Sequence, residues 1–289
     1  MTASDGLAAG WIAGSPYARS LGVVLDDASA ESVRLRLPYR DENSNPGRAL
    51  HGGVAASLIA LGAGALARAA LGAEAAPFHT AAIQVSYLAA AIGEEVTAEA
   101  VLLRRGKELV FADVRVDGAD GKPVARGGVT VRGRFGAPAS APPAVLGEDA
   151  PGDPGPMGRH IGRTPFMGRL GISVEHMRGG QSRILLPFRD ENAAADAGDA
   201  DGVHEGAVLA LLDTTGAMAA WALTGPGPYK ASTPSLQAQI LAPPPRGDLV
   251  GYGQVVHRDR ELFLCDVEIG SAADRRLVAR GTVVYRIVQ

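Results

Sequence analysis

Two features of the chain have the make-up of reactive groups. The first is Asp213, an acid set among Leu211, Leu212 and Ala217 in a run that is otherwise apolar or small. An ionised carboxylate there costs on the order of several kcal/mol unless it is compensated. Perturbed buried acids concentrate where acid–base chemistry is done. The second is His51-Gly52-Gly53, directly before the apolar stretch Val54–Ala67. The first N–H groups of a helix lack partners within it and attract negative charge. Glycine lets a reacting group approach that backbone closely. Such donors suit a carbonyl oxygen that gains charge, and a nearby carboxylate either activates water or attacks the carbonyl itself. The plainer alternatives are a core acid satisfied by Thr214, Thr215 or a backbone group, and a histidine that only caps or packs.

The elements that must position these residues occur twice. Leu37-Pro38-Tyr39-Arg40-Asp41-Glu42-Asn43 recurs as Leu186-Pro187-Phe188-Arg189-Asp190-Glu191-Asn192. Ser15-Pro16-Tyr17 matches Thr164-Pro165-Phe166, Leu21-Gly22 matches Leu170-Gly171, His51 matches His204, Gln84 matches Gln237, and Val124–Gly127 matches Val278–Gly281. The pairs keep their order, so the chain is a tandem duplication. We divide it into an N-terminal domain (1–136), a Pro/Gly/Ala-rich linker (137–163) and a C-terminal domain (164–289). The prolines of the linker predict an extended connection without helix or central strand. Each copy reads as a strand, a turn-rich loop, a long helix (about Gly53–Leu71 and Gly206–Leu223) and further strands. In copy one these are roughly Ala81–Leu88, Glu95–Arg104, Leu109–Asp117 and Val124–Arg134, with turns at Gly106 and Asp117-Gly118. Both helices are apolar or small on nearly every face, which predicts burial all round.

With 28 basic and 31 acidic residues the net charge is −3, and nothing in that balance calls for nucleic acid or an anionic membrane. Cys265 is the only cysteine. It excludes an internal disulfide and a CxxC-type zinc site and suits a reducing cytoplasm. The N-terminal segment MTASDGLAAGWIAG lacks the pattern of a signal peptide. The longest uncharged stretch, about Ala49–Ala67, falls short of a membrane span. The expectation is a soluble cytoplasmic protein with no membrane partner, metal or cofactor.

His51-Gly52-Gly53 at a helix start, with Ile83–Leu88 and Arg104-Arg105-Gly106-Lys107 downstream, resembles the hotdog acyl-CoA thioesterases, most closely the phenylacetate-pathway and 4-hydroxybenzoyl-CoA type. The likeness spans nearly all of both copies. It implies an α+β double hotdog, two antiparallel five-stranded sheets each wrapped on a long central helix and joined edge to edge. It also implies an acyl-CoA substrate and an oligomer of fused chains. In that family an acid follows the histidine by nine positions. Copy two has Asp213 there; copy one has Ala60. Conversely the paired glycines read Gly52-Gly53 in copy one but Glu205-Gly206 in copy two. The Asn or Gln expected before the histidine is Asn45 in copy one and Gly198 in copy two. The losses are complementary. One hybrid site, with Asn45, His51, Gly52 and Gly53 facing Asp213, is expected to work, and the other, with Glu205 facing Ala60, to be inactive. Arg104, Arg105 and Lys107 are expected near the CoA phosphates, and Thr214 beside the substrate. Two rival readings are a hotdog hydratase or dehydratase, faintly suggested by Asn45-Pro46, and a non-catalytic acyl-CoA-binding protein.

Overall fold

The computed structural model describes residues 3–134, 136, 140–149, 151–194 and 201–288. Copy one opens with helices α1 (Ala3–Gly14) and α2 (Pro16–Leu21). It continues with β1 (Val24–Ala28), β2 (Ser32–Leu37), the long helix α3 (Gly52–Leu71), β3 (His79–Tyr87), β4 (Val96–Arg105), β5 (Leu109–Gly118) and β6 (Pro123–Arg132). Copy two repeats the order as α4 (Gly155–Ile161), α5 (Pro165–Leu170), β7 (Ser173–Arg178), β8 (Gln181–Leu186), α6 (Glu205–Thr224), β9 (Lys230–Ile240), β10 (Leu249–Arg258), β11 (Leu262–Ser271) and β12 (Leu277–Val288).

The repeated Ser-Pro and Thr-Pro pairs are helix starts. Ser15 caps α2, its hydroxyl accepting the Ala18 N–H at 3.2 Å, and Pro16 stands in the first turn, where no N–H is needed. Gly22 and Gly171 end α2 and α5 at φ 83° and 76°, a left-handed conformation that suits glycine.

All strands join one antiparallel sheet of 12, in the order β1-β2-β4-β5-β6-β3-β9-β12-β11-β10-β8-β7. The copies meet at β3 and β9, where Gln84 lies opposite its own repeat partner Gln237 and Val85 opposite Leu236. A pseudo-twofold axis therefore passes through this junction. The sheet wraps α3 and α6, which lie side by side: this is the expected α+β double hotdog. Its strand count corrects the expectation of five per copy to six. The added strands are the outermost, β1 and β7. Their sequences, Val-Leu-Asp-Asp-Ala and Ser-Val-Glu-His-Met-Arg, carry the polar residues of edge strands and little apolar alternation. A second correction concerns the linker. Helix α4 forms inside the span expected to be extended, with Pro154 and Pro156 at its N-terminal end, where proline is tolerated.

Both long helices are apolar enough, by length and composition, to cross a membrane, contrary to the sequence expectation. Here they are core helices: α3 is buried along its whole length and α6 over most of it. They approach closely because small residues face each other. A Cβ on Gly53 would sit 2.8 Å from Ala210 Cα, and a Cβ on Gly206 would sit 2.9 Å from Ser57 Oγ. Ser57 also donates to the Gly53 carbonyl at 2.6 Å, lies 3.0 Å from the Gly206 carbonyl oxygen and shares a hydrogen bond with Tyr17 at 2.9 Å.

Candidate active site

The first turn of α3 is built by its own cap. His51 is extended, and its Nδ1 accepts the Gly53 N–H at 2.9 Å. Burial pushes the imidazole pKa down to about 3. The ring is therefore neutral, and because Nδ1 accepts, its proton resides on Nε2. Phe166 of α5, from the other copy, covers the ring at 4.7 Å between centroids. Gly53 was expected among the donors for a charged oxygen. Its N–H is instead taken by His51, and its missing side chain serves helix packing. The Gly52 N–H, which donates to no group among the described residues, is the donor left at this helix start.

Asp213 stands in the middle of α6, 3% exposed. One of its oxygens lies against α3: a Cβ on Gly52 would be 2.8 Å from Asp213 Oδ2. The other, Oδ1, accepts the Thr233 hydroxyl at 2.8 Å. Burial raises the carboxyl pKa to about 6, against the opposing effect of the Thr233 hydrogen bond. Tyr87 of β3 completes the wall, its hydroxyl donating to the Gly52 carbonyl at 3.2 Å. Its phenol is held well above the usual range, by burial first and by the Asp213 charge second. A glycine-started helix of one copy thus faces a basic carboxylate of the other, which is a set for proton abstraction beside a carbonyl-binding donor.

The remaining expected residues divide. Asn45 sits in a turn, partly exposed, its backbone N–H donating to Ala49 O at 2.8 Å, with no side-chain hydrogen bond to His51 or Asp213 among the described residues. Arg104, Arg105 and Lys107 are exposed on the β4–β5 hairpin. Thr214 is buried beside Asp213, and its hydroxyl donates to Ala210 O at 2.8 Å and lies 3.2 Å from Met167 Sδ. Thr215 likewise bonds its own helix at Leu211 O. Thr233, the actual partner of Asp213, was missed because it lies on a strand twenty residues away, and only the sheet brings it back. Gly198 lies outside the described residues.

The pseudo-equivalent place on α6 is occupied by the chain itself. His204 repeats the cap, accepting the Gly206 N–H at 2.9 Å under Tyr17 of the other copy. Glu205 stands where Gly52 does. Its carboxylate pairs with His79 Nδ1 at 3.0 Å and accepts the Thr80 N–H at 3.1 Å. Burial raises the Glu205 pKa, but His79 and Thr80 outweigh it and hold the carboxyl down at about 2. The His79 pKa ends raised, because Glu205 and the Ile240 carbonyl, 2.6 Å from its Nε2, outweigh burial. Among the described residues no cluster of three or more His, Cys, Asp or Glu could hold a metal ion.

Residues 7–132 match the model of a family described as a domain of unknown function, DUF4442, and residues 202–279 match that of the thioesterase superfamily. A Halobacterium salinarum protein with a provisional esterase name is 40% identical over 111 residues, which covers 36% of this chain and 73% of its own. A provisionally named thioesterase of Novosphingobium aromaticivorans superposes with a TM-score of 0.68 at 17% identity, over 92% of this chain and 98% of its own. The tesB protein of Mycobacterium avium subs paratuberculosis gives a TM-score of 0.67 at 14% identity, over 94% and 97%. At such identities the two solved structures speak for the fold, across nearly the whole tandem arrangement. The class is that of the hotdog proteins, and the chain belongs to the thioesterase superfamily.

Proposed function

We propose that the protein hydrolyses acyl-CoA thioesters to the free acid and CoA at one hybrid site per chain. The observation that carries this reading is the placement of Asp213 Oδ2, from copy two, against Gly52 at the start of α3, from copy one. The thioester carbonyl lies at the α3 N-terminus, its oxygen receiving the Gly52 N–H and the helix dipole. Asp213, ionised at neutral pH and more basic than an ordinary aspartate, takes a proton from water as the water oxygen attacks the carbonyl carbon. The tetrahedral intermediate collapses with cleavage of the C–S bond. CoA leaves as the thiol after taking up the proton, and the acid is released. Thr233 fixes the rotamer of Asp213 so that Oδ2 faces the substrate. Arg104, Arg105 and Lys107, the exposed cations of the hairpin, meet the CoA phosphates. The second place, with Ala60 for the acid and Glu205 locked onto His79, does no hydrolysis.

The test is thiol release from a panel of acyl-CoA thioesters by the native protein and by Asp213→Asn. We expect turnover in the first and a loss on the order of 10²–10⁴ in the second. Acyl-CoA binding without thiol release, unaltered by the substitution, would make the protein a binding module instead.

A further inference from the structure

The tandem repeat lets each position beside one helix start be compared with its counterpart beside the other. The ends of β3 and β9 are in the same register. The Leu88 N–H donates to Val124 O at 2.9 Å, and the Leu241 N–H donates to Val278 O at 2.8 Å. Val124 and Val278 open the repeated Val-Ala-Arg-Gly. Leu88 and Leu241 are therefore equivalent, and so are the residues before them, Tyr87 and Ile240. Both point to the inner face of the sheet, in step with the buried Ile83 and Val85 on β3 and Leu236 and Ala238 on β9. A tyrosine thus stands only in the half where Gly52 faces Asp213. The half with Glu205 and Ala60 has an apolar side chain in its place.

Tyr87 reaches the space assigned to the thioester carbonyl. A Cβ on Gly52 would be 3.5 Å from Tyr87 Cε1 and 2.8 Å from Asp213 Oδ2, so ring and carboxylate border one space over Gly52. The phenol donates to the Gly52 carbonyl at 3.2 Å, which is long for a hydroxyl donor. That carbonyl belongs to the first helical turn, where the N–H four residues on is a second donor to it. The phenol proton is therefore loosely committed, and the side chain is half-buried rather than sealed. The substrate oxygen, for its part, is short of donors. His51 takes the Gly53 N–H at 2.9 Å and leaves that of Gly52. Burial first and the Asp213 charge second hold the phenol well above its usual range, so it keeps its proton at neutral pH and can donate.

We infer that Tyr87 is a further catalytic residue, whose hydroxyl turns from the Gly52 carbonyl to the thioester oxygen and, with the Gly52 N–H, holds that oxygen as it becomes negative. This rests on the thioesterase reading. Proton bookkeeping assigns Tyr87 hydrogen-bond donation rather than proton transfer. Asp213 takes the proton of water and has it to give to the departing sulfur, so no second acid is needed. The phenol ends the turnover with the proton it began with.

Thiol release from acyl-CoA thioesters by the native protein, Tyr87→Phe and Ile240→Leu tests this. Tyr87→Phe should lose kcat on the order of 10², the effect of removing one donor to a developing oxyanion. KM, and the rise of kcat/KM with pH through about 6, should not move. Ile240→Leu, at the equivalent place in the other half, should leave kcat unchanged. A CoA thioether carrying a trifluoromethyl ketone presents a tetrahedral oxygen and has no thiolate to expel. Its affinity should fall by roughly tenfold or more in Tyr87→Phe. Should that variant not fold, 3-fluorotyrosine at position 87, a stronger donor of nearly the same shape, should raise kcat, and a kcat unchanged or lowered would count against the role. Full kcat in Tyr87→Phe, a loss confined to KM, a shifted pH rise, unchanged affinity for the ketone, or an equal loss in Ile240→Leu would overturn the role of Tyr87 and leave the thioesterase reading intact. Absence of hydrolysis by the native protein with every thioester would instead refute that reading, and the inference with it.

Discussion

Asp213 Oδ2 and the α-carbon of Gly52 belong to different copies of the repeat, yet they lie so close that a single methyl on Gly52 would come within 2.8 Å of the carboxylate. The acid and the helix start therefore constrain each other. Where the acid is present the facing residue is glycine. Where it is replaced by Ala60, the facing position carries the larger Glu205.

Gly52→Ala should displace the carboxylate. We expect a loss of kcat on the order of tenfold to a hundredfold, since small misplacements of reacting groups are costly. Gly53→Ala meets the Ala210 backbone rather than a movable side chain. It should act mainly on stability, by about 1–3 kcal/mol. Denaturant unfolding and thiol release on the two variants separate these effects.

Asp213 carries a pKa raised to about 6. Its ionisation opposes folding: the contribution is favourable below the unfolded value and is lost as pH rises through about 6. Asp213→Asn should thus raise stability at pH 7 by on the order of 2–3 kcal/mol, and the gain should vanish near pH 4. Over the same range the native kcat/KM should rise with pH as the base ionises. An Asp213→Asn protein less stable than native at pH 7 would contradict this.

The Glu205–His79 pair has a window. Glu205, held at about 2, contributes stability above its ordinary carboxylate range, and that is lost as pH falls toward 2. His79, raised, contributes below its unfolded value, and that is lost as pH rises through its folded one. Glu205→Gln should therefore lower Tm most near pH 5–6, by about 1–3 kcal/mol in stability. Turnover should change little, because the pair lies away from Asp213.

Arg104, Arg105 and Lys107 are exposed and free to meet an anion. Replacing all three by Ala should raise KM for CoA thioesters several-fold at low salt and less at 0.5 M salt. KM for a pantetheine thioester, which lacks the nucleotide phosphates, should not move. Equal effects on both substrates would place the cations elsewhere.

A fused double hotdog corresponds to two single-copy subunits, and we propose that the chain pairs again. Light scattering at micromolar concentration should report at least twice the chain mass; the mass of a single chain would end this proposal.

The sequence by itself determined the duplication, the buried helices, the positions of both histidine caps and the complementary loss of acid and glycine. These are local or repeated patterns: apolar periodicity, a glycine pair, an acid nine residues on. It did not determine β1 and β7, because edge strands need only one partner and carry no apolar alternation. Nor did it determine that His51 takes the Gly53 N–H, that Thr214 bonds Ala210 O of its own helix, or that Thr233 holds Asp213. Those depend on which way a side chain points and on which strand lies beside a helix. The pairing of β3 with β9, in turn, joins the two copies and so sets Asp213 of one against Gly52 of the other. The packing of Trp11 against His204 and Arg68 and the pairing of Glu205 with His79 were also beyond reach, since no motif marks which distant side chains will meet.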